Sequence, residues 1–599
     1  MTELTPADRP WLDASLPVAE RVELLLAEMT LEEKAGLFFQ SMITIGEGGG
    51  LADADPSFGL PATHDYVEQR HMTHFNVFGA APTGHGMAEW HNALQGLAAS
   101  TRLGIPVTLS TDPRHSFSEN PGAAIFAGPF SQWPETLGLA AIRDEELVEQ
   151  FGDIARQEYL AVGIRVALHP QIDLATEPRW ARQLATFGED ADLTGRLGAA
   201  YIRGFQGATL GADSVATMTK HFPGGGPQLD GEDPHFEYGR EQVYPGGEFD
   251  LHLKPFEAAF EAGTSQIMPY YGMPIGTEHE EVGFGFNKSV ITGLLRERYG
   301  FDGIVCTDWG LITDGELMGQ PFPARAWGVE GLTPPERMSK VLDAGADQFG
   351  GEFCPDMLVA LVRDGKVTEG RLDVSARRLL REKFVLGLFE NASVDAAAAD
   401  SIVGSEAFRA AGEAAQRASV TVLTNNEVPN AATGATAPAL PFARGLRIYA
   451  EGIDAEIVAE FGAVASTPDE ADIAVLRLQA PFDTRATFFE NFFHAGSLDF
   501  SEETLEHVRD IAGRVPTVVD VFLDRPAILE PIVDVTAAVV VEWGVNARAL
   551  LDVLTGAAKP QGRLPFDVPR SMAAVEQNRP DVPFDTPDPL FRFGHGLAI

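Results

Sequence analysis

Along this chain, short apolar runs alternate with stretches whose apolar residues recur every three or four positions. Val18, Val22, Leu25 and Met29 mark one helix, and Thr30-Leu-Glu-Glu33 reads as a capping box opening the next. Val107 to Ser110, Arg165 to Leu168, Val215 to Met218, Gln266 to Met268 and Gly303 to Cys306 predict buried strands, with helical stretches such as Asp144 to Leu160 between them. Such alternation over about 300 residues predicts an α/β fold whose first part is a (β/α)8 TIM-like barrel; periodicity alone does not separate it from an open sheet. The pattern breaks at Leu386-Gly-Leu-Phe-Glu-Asn391, and the alanine-rich Val394 to Asp400 reads as a linker. A second set of runs, Leu446 to Tyr449, Ile473 to Leu476, Thr517 to Phe522 and Ala537 to Val541, predicts a C-terminal α/β layered sandwich. The expected division is a barrel domain over 1–390, a linker over 391–405 and a sandwich over 406–599 that contributes to the active site. Residues 428–438, rich in Ala, Thr and Pro, read as a surface loop.

Composition narrows the partners. With 599 residues and 45% apolar content, the chain can bury two substantial cores. Acidic residues outnumber basic ones 87 to 44, a formal charge of −43 that repels phosphate backbones and anionic lipid. Neither nucleic acid nor a membrane surface is therefore an expected partner. Two cysteines, Cys306 and Cys354, imply no disulfide framework. The opening Met1 to Pro10 has no apolar signal region, which sets the expectation of a cytoplasmic protein. No His, Cys and carboxylate set has metal-ligand spacing, and no Gly-x-Ser-x-Gly elbow occurs. Gly48 to Gly50 and Gly224 to Gly226 lack the context of a dinucleotide loop, so no cofactor and no metal is expected.

The most informative segment is Gly303-Ile-Val-Cys-Thr-Asp-Trp-Gly310. An apolar run ends in Asp308, followed by Trp309, whose indole is of the kind that packs against a sugar ring. Asp308 could equally cap the next helix; the other strand ends favour chemistry. Asp112 and His115 follow the run at 107–110, and Arg182 lies beyond that at 165–168. Lys220 and His221 follow the run at 215–218, and Tyr271 closes Met268-Pro-Tyr-Tyr271. Each has an ordinary explanation as a solvated or structural residue, yet all fall at the strand ends where barrel enzymes assemble their sites. Asp, Arg, Lys and His over an aromatic floor can fork hydrogen bonds to the vicinal hydroxyls of a pyranose. A carboxylate facing the anomeric carbon can act as nucleophile in a double displacement.

These motifs resemble glycoside hydrolase family 3, most closely its two-domain β-glucosidase and exo-glucanase branch. Leu16 to Glu23 with Met29 to Lys34 is similar to the family's opening helix, Lys220-His-Phe-Pro-Gly224 to its sugar-binding loop, and Thr307-Asp-Trp-Gly310 to its nucleophile motif. Arg381 to Asn391 resembles the barrel exit; Pro560 to Pro565 and Phe591 to Leu597 resemble the closing segments, which sets the expectation that the third domain of some relatives is absent. The resemblance implies a retaining exo-acting β-glycosidase, foremost a β-glucosidase, with a β-glucoside or oligosaccharide as substrate. It implies Asp308 as nucleophile, Trp309 beside the sugar, and Asp112, Arg182, Lys220, His221 and Tyr271 as residues that hold the terminal glycosyl unit.

The general acid/base is where the pattern is not cleanly filled. Relatives supply a glutamate from a second-domain loop, and here that region runs from Leu476 to Asp499. Glu490, flanked by aromatic rings expected to raise its pKa, is the first candidate, and Asp483 the second. Asp233-Pro-His235 resembles the Asp-x-His dyad of the family's N-acetylglucosaminidases and makes His235 the rival. The competing readings are therefore a β-N-acetylglucosaminidase or phosphorylase using that dyad, a β-xylosidase, and a catalytically silent sugar-binding protein. The aromatic loop Phe488 to Phe493 raises the expectation of a homodimer in which a neighbouring subunit completes the site.

Overall fold

A computed structural model describes residues 9–118, 120, 122–317, 319–429 and 435–599. The first eight residues of the opening segment, and 430–434 of the expected surface loop, lie outside the described residues. Eight parallel strands close into a barrel: β1 Phe39–Thr44, β2 His74–Phe78, β3 Thr108–Thr111, β4 Ile164–Ala167, β5 Ala216–Phe222, β6 Gln266–Pro269, β7 Ile304–Trp309 and β8 Gln348–Gly350. Closure is made by β8 on β1, with Phe39 opposite Phe349. Five strands match the apolar runs of the sequence. β1, β2 and β8 carry buried polar residues instead, Gln40, Ser41, His74, Asn76 and Gln348, so no continuous apolar run announces them. Gln40 is satisfied by donating to Ser110 Oγ at 2.6 Å inside the barrel.

Alternation along the strands divides the packing. Val166, Leu168, Ala216, Met218, Met268 and Cys306 form one buried cluster that Leu386 and Leu388 of the barrel exit also join. Ala167, Ile267, Val305 and Phe349 point the other way, into the core shared with the helices. Helix starts follow capping chemistry: Glu33 Oε2 accepts from the Thr30 N–H at 2.9 Å, and Asp144 caps the helix Glu145–Ala161 by accepting from Glu146 and Leu147 N–H.

The alanine-rich stretch is corrected by the structure. Ala396–Ile402 is a helix capped by Asp395, and it docks on the barrel, where Asp400 accepts from the His85 N–H at 2.8 Å. Alanine is the strongest helix former, and that property outweighs its resemblance to linker composition. Beyond it, the six-stranded second sheet has the order β9 Thr421–Asn425, β14 Ala538–Glu542, β13 Thr517–Phe522, β12 Ile473–Gln479, β10 Arg447–Glu451, β11 Ala463–Val464. Only β9 runs antiparallel to its neighbour. Ala474, Leu476, Val519, Val521, Val539 and Val541 pack on one face, and Ile473, Val475, Val518 and Val540 on the other. The first face is covered partly by Leu137 and Ala141 of the barrel domain's helix Thr136–Ile142. The expected surface loop near 428–438 begins and ends in a short hairpin, Glu427–Pro429 against Thr436–Pro438. Among the described residues, no helix is long and apolar enough to cross a membrane.

Candidate active site

The carboxyl ends of the barrel strands and one loop of the second domain enclose a cavity of about 390 Å³. Asp308 stands at the end of β7 and is 7% exposed. Its Oδ1 accepts from the Trp309 N–H at 2.9 Å; its Oδ2 has no hydrogen-bond partner among the described residues and lies 3.8 Å from His221 Nε2. One oxygen is thus anchored and the other free, as a nucleophile requires. Tyr271 accepts from the Trp309 N–H at 3.0 Å and donates to the Trp309 carbonyl at 2.8 Å, pinning the strand end. The indole lies against Gly350 and Gly351; a Cβ on Gly351 would sit 2.7 Å from Trp309 Cδ1, so only glycine admits this approach.

Polar groups from neighbouring strands converge on the same floor. Asp112, just past β3, accepts from Lys220 Nζ at 3.2 Å and from Asn76 Nδ2 at 3.0 Å. Arg182 Nη2 lies 3.3 Å from both Gln171 Oε1 and His221 Nε2. His221 Nδ1 meets Asp173 Oδ2 at 2.8 Å, while Asp173 Oδ1 accepts from the Gly225 N–H at 2.5 Å and the His221 N–H at 3.2 Å. Burial and the neighbouring Arg182 cation hold His221 far below the ordinary histidine range, so the ring is neutral. Since Arg182 can only donate, His221 carries its proton on Nδ1 and presents Nε2 as an acceptor. Burial pushes the Asp173 carboxyl up to about 6.

The residues expected to hold a sugar, Asp112, Arg182, Lys220, His221, Tyr271 and Trp309, all line this cavity together with Asp308. His115 does not: it bonds Glu158 Oε2 at 2.9 Å among Phe130, Phe151 and Tyr159, behind the barrel wall. Two contributors went unread in the sequence. Asp173 follows the 165–168 run and could have been found by the same strand-end rule. Arg325 comes from a loop with no such signal; it lines the cavity with its guanidinium carbon 3.6 Å from the centroid of the Phe322 ring and a buried Nε that has no partner among the described residues.

The second-domain loop closes on the barrel of its own chain. Phe489 meets Phe322 at 5.3 Å and Phe493 meets His235 at 4.5 Å between ring centroids, while Arg485 pairs with Glu232 at 2.7 Å. Phe488, Phe489 and Phe492 line the cavity, but Glu490 does not. Its Oε2 accepts from the Thr487 N–H and hydroxyl at 2.8 and 2.7 Å, and its Oε1 from Tyr238 at 3.0 Å. Partial burial raises this carboxyl, but those hydrogen bonds and Arg485 together hold it below the usual range. The upward shift expected from the flanking rings is therefore reversed, because the rings face the cavity and the carboxylate faces donors. Asp483 is exposed, accepts from the Ser497 N–H at 3.1 Å, and is also outside the cavity wall. His235 is in that wall. Its Nδ1 lies 2.6 Å from Asp233 Oδ1, its ring packs 4.6 Å from Tyr271, and its Nε2 has no hydrogen bond among the described residues. Burial lowers its pKa more than Asp233 raises it. Among the described residues, no group of His, Cys, Asp and Glu has the geometry to hold a metal ion.

A parallel barrel with an open carboxylate, forked cations and an aromatic floor at its carboxyl end defines an enzyme acting on glycosidic bonds. Residues 64–382 match the glycosyl hydrolase family 3 N-terminal domain. β-Glucosidase C of Emericella nidulans is 52% identical over 590 residues, 98% of this chain and 93% of that protein. The periplasmic β-glucosidase/β-xylosidase of Dickeya chrysanthemi is 42% identical over 98% of this chain and 91% of its own length. A β-glucosidase structure from Erythrobacter marinus superposes with a TM-score of 0.77 at 22% identity, covering 99% of this chain and 84% of that one. The β-glucosidase of Listeria innocua in complex with glucose gives 0.73 at 22% identity, over 97% and 83%. The chain belongs to glycoside hydrolase family 3.

The Asp173–His221 pair makes a direct prediction. In Asp173→Asn, an amide N–H replaces an acceptor toward either His221 Nδ1 or the two backbone donors. Facing the ring, it drives the imidazole proton to Nε2, against Arg182. We expect glycoside turnover to fall about 100-fold, the scale of a substrate-positioning group displaced by about 1 Å, while the fold is kept. Imidazole ¹⁵N shifts should report the tautomer change; an unchanged tautomer with full activity would remove Asp173 from this role.

Proposed function

We propose that the protein is a retaining, exo-acting β-glycosidase that hydrolyses terminal β-D-glucosyl residues. The observation that carries this is the free Oδ2 of Asp308 on a cavity floor ringed by Asp112, Lys220, Arg182 and His221. Kinship with enzymes named β-glucosidase at 52% identity supports the glucosyl preference.

In the first step Asp308 Oδ2 attacks the anomeric carbon while the bond to the leaving oxygen breaks. That oxygen keeps the electron pair and takes a proton from His235 Nε2, with Asp233 stabilising the imidazolium through Nδ1–H. In the second step, water attacks the anomeric carbon as His235 Nε2 takes its proton, and the ester bond to Asp308 breaks. His235 is chosen over Glu490 because it faces the cavity between the Tyr271 floor and the Phe489 and Phe493 rings. Arg182 and Lys220 hold glycosyl hydroxyls, and Tyr271 fixes the backbone that carries the nucleophile.

The test is a panel of nitrophenyl β-glycosides. Glucoside turnover should lead; xyloside should follow, as the name of the Dickeya relative suggests. A leading N-acetylglucosaminide would overturn the glucosyl reading, phosphate-dependent release of a glycosyl phosphate would replace hydrolysis by phosphorolysis, and no turnover of any member would leave a sugar-binding protein.

A further inference from the structure

A second cavity, of about 540 Å³, lies where the two domains meet. That is within the range of small-molecule sites, about 300–1,000 Å³. The loop after β3 and the helices behind it build one side. The other side is the carboxyl end of the second sheet: Arg477 and Gln479 of β12, Phe522 of β13 and Glu542 of β14. Open α/β sheets take their ligands at this end of their strands, and none of these four residues lines the catalytic cavity.

The wall is polar and built. Arg477 donates to Asp520 Oδ2 at 3.0 Å and to Glu542 Oε1 at 2.9 Å. Across from it, Glu135 Oε1 accepts from the Phe117 and Ser118 N–H groups at 2.9 and 2.8 Å. Two wall residues each keep one buried polar atom without a hydrogen-bond partner among the described residues. They are Arg114, 0% exposed, at Nη1, and Asp524, 7% exposed, at Oδ1. Their remaining atoms are fixed: Arg114 donates to Thr111 Oγ1 and to the Val77 carbonyl, both at 2.6 Å, and Asp524 Oδ2 pairs with His494 Nδ1. A buried donor and a buried acceptor left open are costly unless something bonds them. At about 30 Å³ each, the one or two waters they would hold leave most of the cavity unfilled. Cations and acids alternate around the wall, so neither an anion nor a cation is favoured.

We infer that the inter-domain cavity is a second binding site, separate from the catalytic pocket, for an uncharged, polyhydroxylated molecule of pyranoside size, held between Arg114 on the barrel side and Asp524 on the sandwich side. Arg182 and Phe492 stand in the walls of both cavities, so a molecule in the second is felt in the first. That coupling rests on the glycosidase reading above; binding itself does not.

Equilibrium dialysis with radiolabelled methyl 1-thio-β-glucoside, which resists cleavage, should count two molecules per chain. Gln479→Trp, which fills the cavity from an exposed strand end, should leave one. Asp524→Asn should weaken the second molecule's binding about tenfold, the scale of a hydrogen bond to a charged group. One molecule per chain in the wild type, or a second that neither substitution affects, overturns the inference. In kinetics the same compound should inhibit hydrolysis of β-glucosyl fluoride in a mixed pattern, lowering kcat as well as raising KM. In Gln479→Trp the inhibition should become purely competitive. A competitive pattern with two molecules bound would strike out the coupling and uphold the site. No turnover of β-glucosyl fluoride at all counts against the glycosidase assignment, and the dialysis count still decides the site.

Discussion

Asp308→Ala should lower kcat/KM for β-glucosyl fluoride by about 10³-fold or more, because fluoride needs little protonation and the step depends on the nucleophile. The variant should still fold. The carboxylate is buried, its hydrogen bond among the described residues is to the adjacent Trp309 N–H, and Tyr271 holds the same backbone independently. Removing a buried charge also removes its desolvation cost, so the melting temperature should change by only a few degrees. Azide supplies a second readout. Placed in the space left by the side chain, it should attack the anomeric carbon and release α-glucosyl azide, the stereochemical signature of a missing nucleophile. A variant that keeps more than a tenth of wild-type turnover, or an azide adduct of β configuration, would show that another group forms the covalent bond.

The second large effect concerns the proton. His235→Gln should reduce kcat/KM for alkyl and simple phenyl glucosides by about 10²- to 10⁴-fold, the usual worth of a positioned general acid. Dinitrophenyl glucosides, whose aglycone leaves unaided, should be much less affected in their first step. Glu490→Gln should change either substrate class by no more than about threefold, since its carboxylate serves Thr487 and Tyr238 rather than the cavity. The pH profile carries the same information with a definite sign. An acid must start protonated, so kcat/KM for poor leaving groups should fall as pH rises through the His235 pKa. Burial lowers that pKa, with Arg182 and Arg325 adding to the effect and Asp233 opposing it, so the basic limb should lie below about 6.5. Asp233→Asn should move the limb further toward acid, because the carboxylate no longer stabilises the imidazolium. Should Glu490→Gln instead erase the limb and His235→Gln leave it, the roles are reversed.

How much of this could be read beforehand differs from element to element. β3 to β7 are buried on both faces and each includes or adjoins a short run in which Val, Ile, Leu, Met or Ala is interrupted by few polar residues, so they were legible. β1, β2 and β8 bury Gln40, His74, Asn76 and Gln348, whose partners lie on other strands and cannot be seen in one dimension. The helix Ala396–Ile402 was misread because composition was weighed above propensity.

The same division runs through the site. Residues just beyond an apolar run are carried to the barrel mouth by strand geometry, so Asp112, Lys220, His221, Tyr271 and Asp308 could be named from order alone. His115 shares that position but turns to Glu158, a choice that depends on a partner 43 residues away. Arg325, and the question of Glu490 against His235, involve loops whose side chains have no periodic constraint. For them, orientation follows from whichever donors, rings and charges the folded chain brings near.

The linear order of residues by itself determined the alternation of strands and helices in both domains and a carboxylate at the end of one buried strand, because strand and helix periods depend on near neighbours; closure of the first sheet into a barrel did not follow from it. Tertiary structure alone decided which acid is free, which histidine is neutral and which rings stand at the mouth. Those properties arise from burial and from partners distant in sequence, and local patterning carries no record of either.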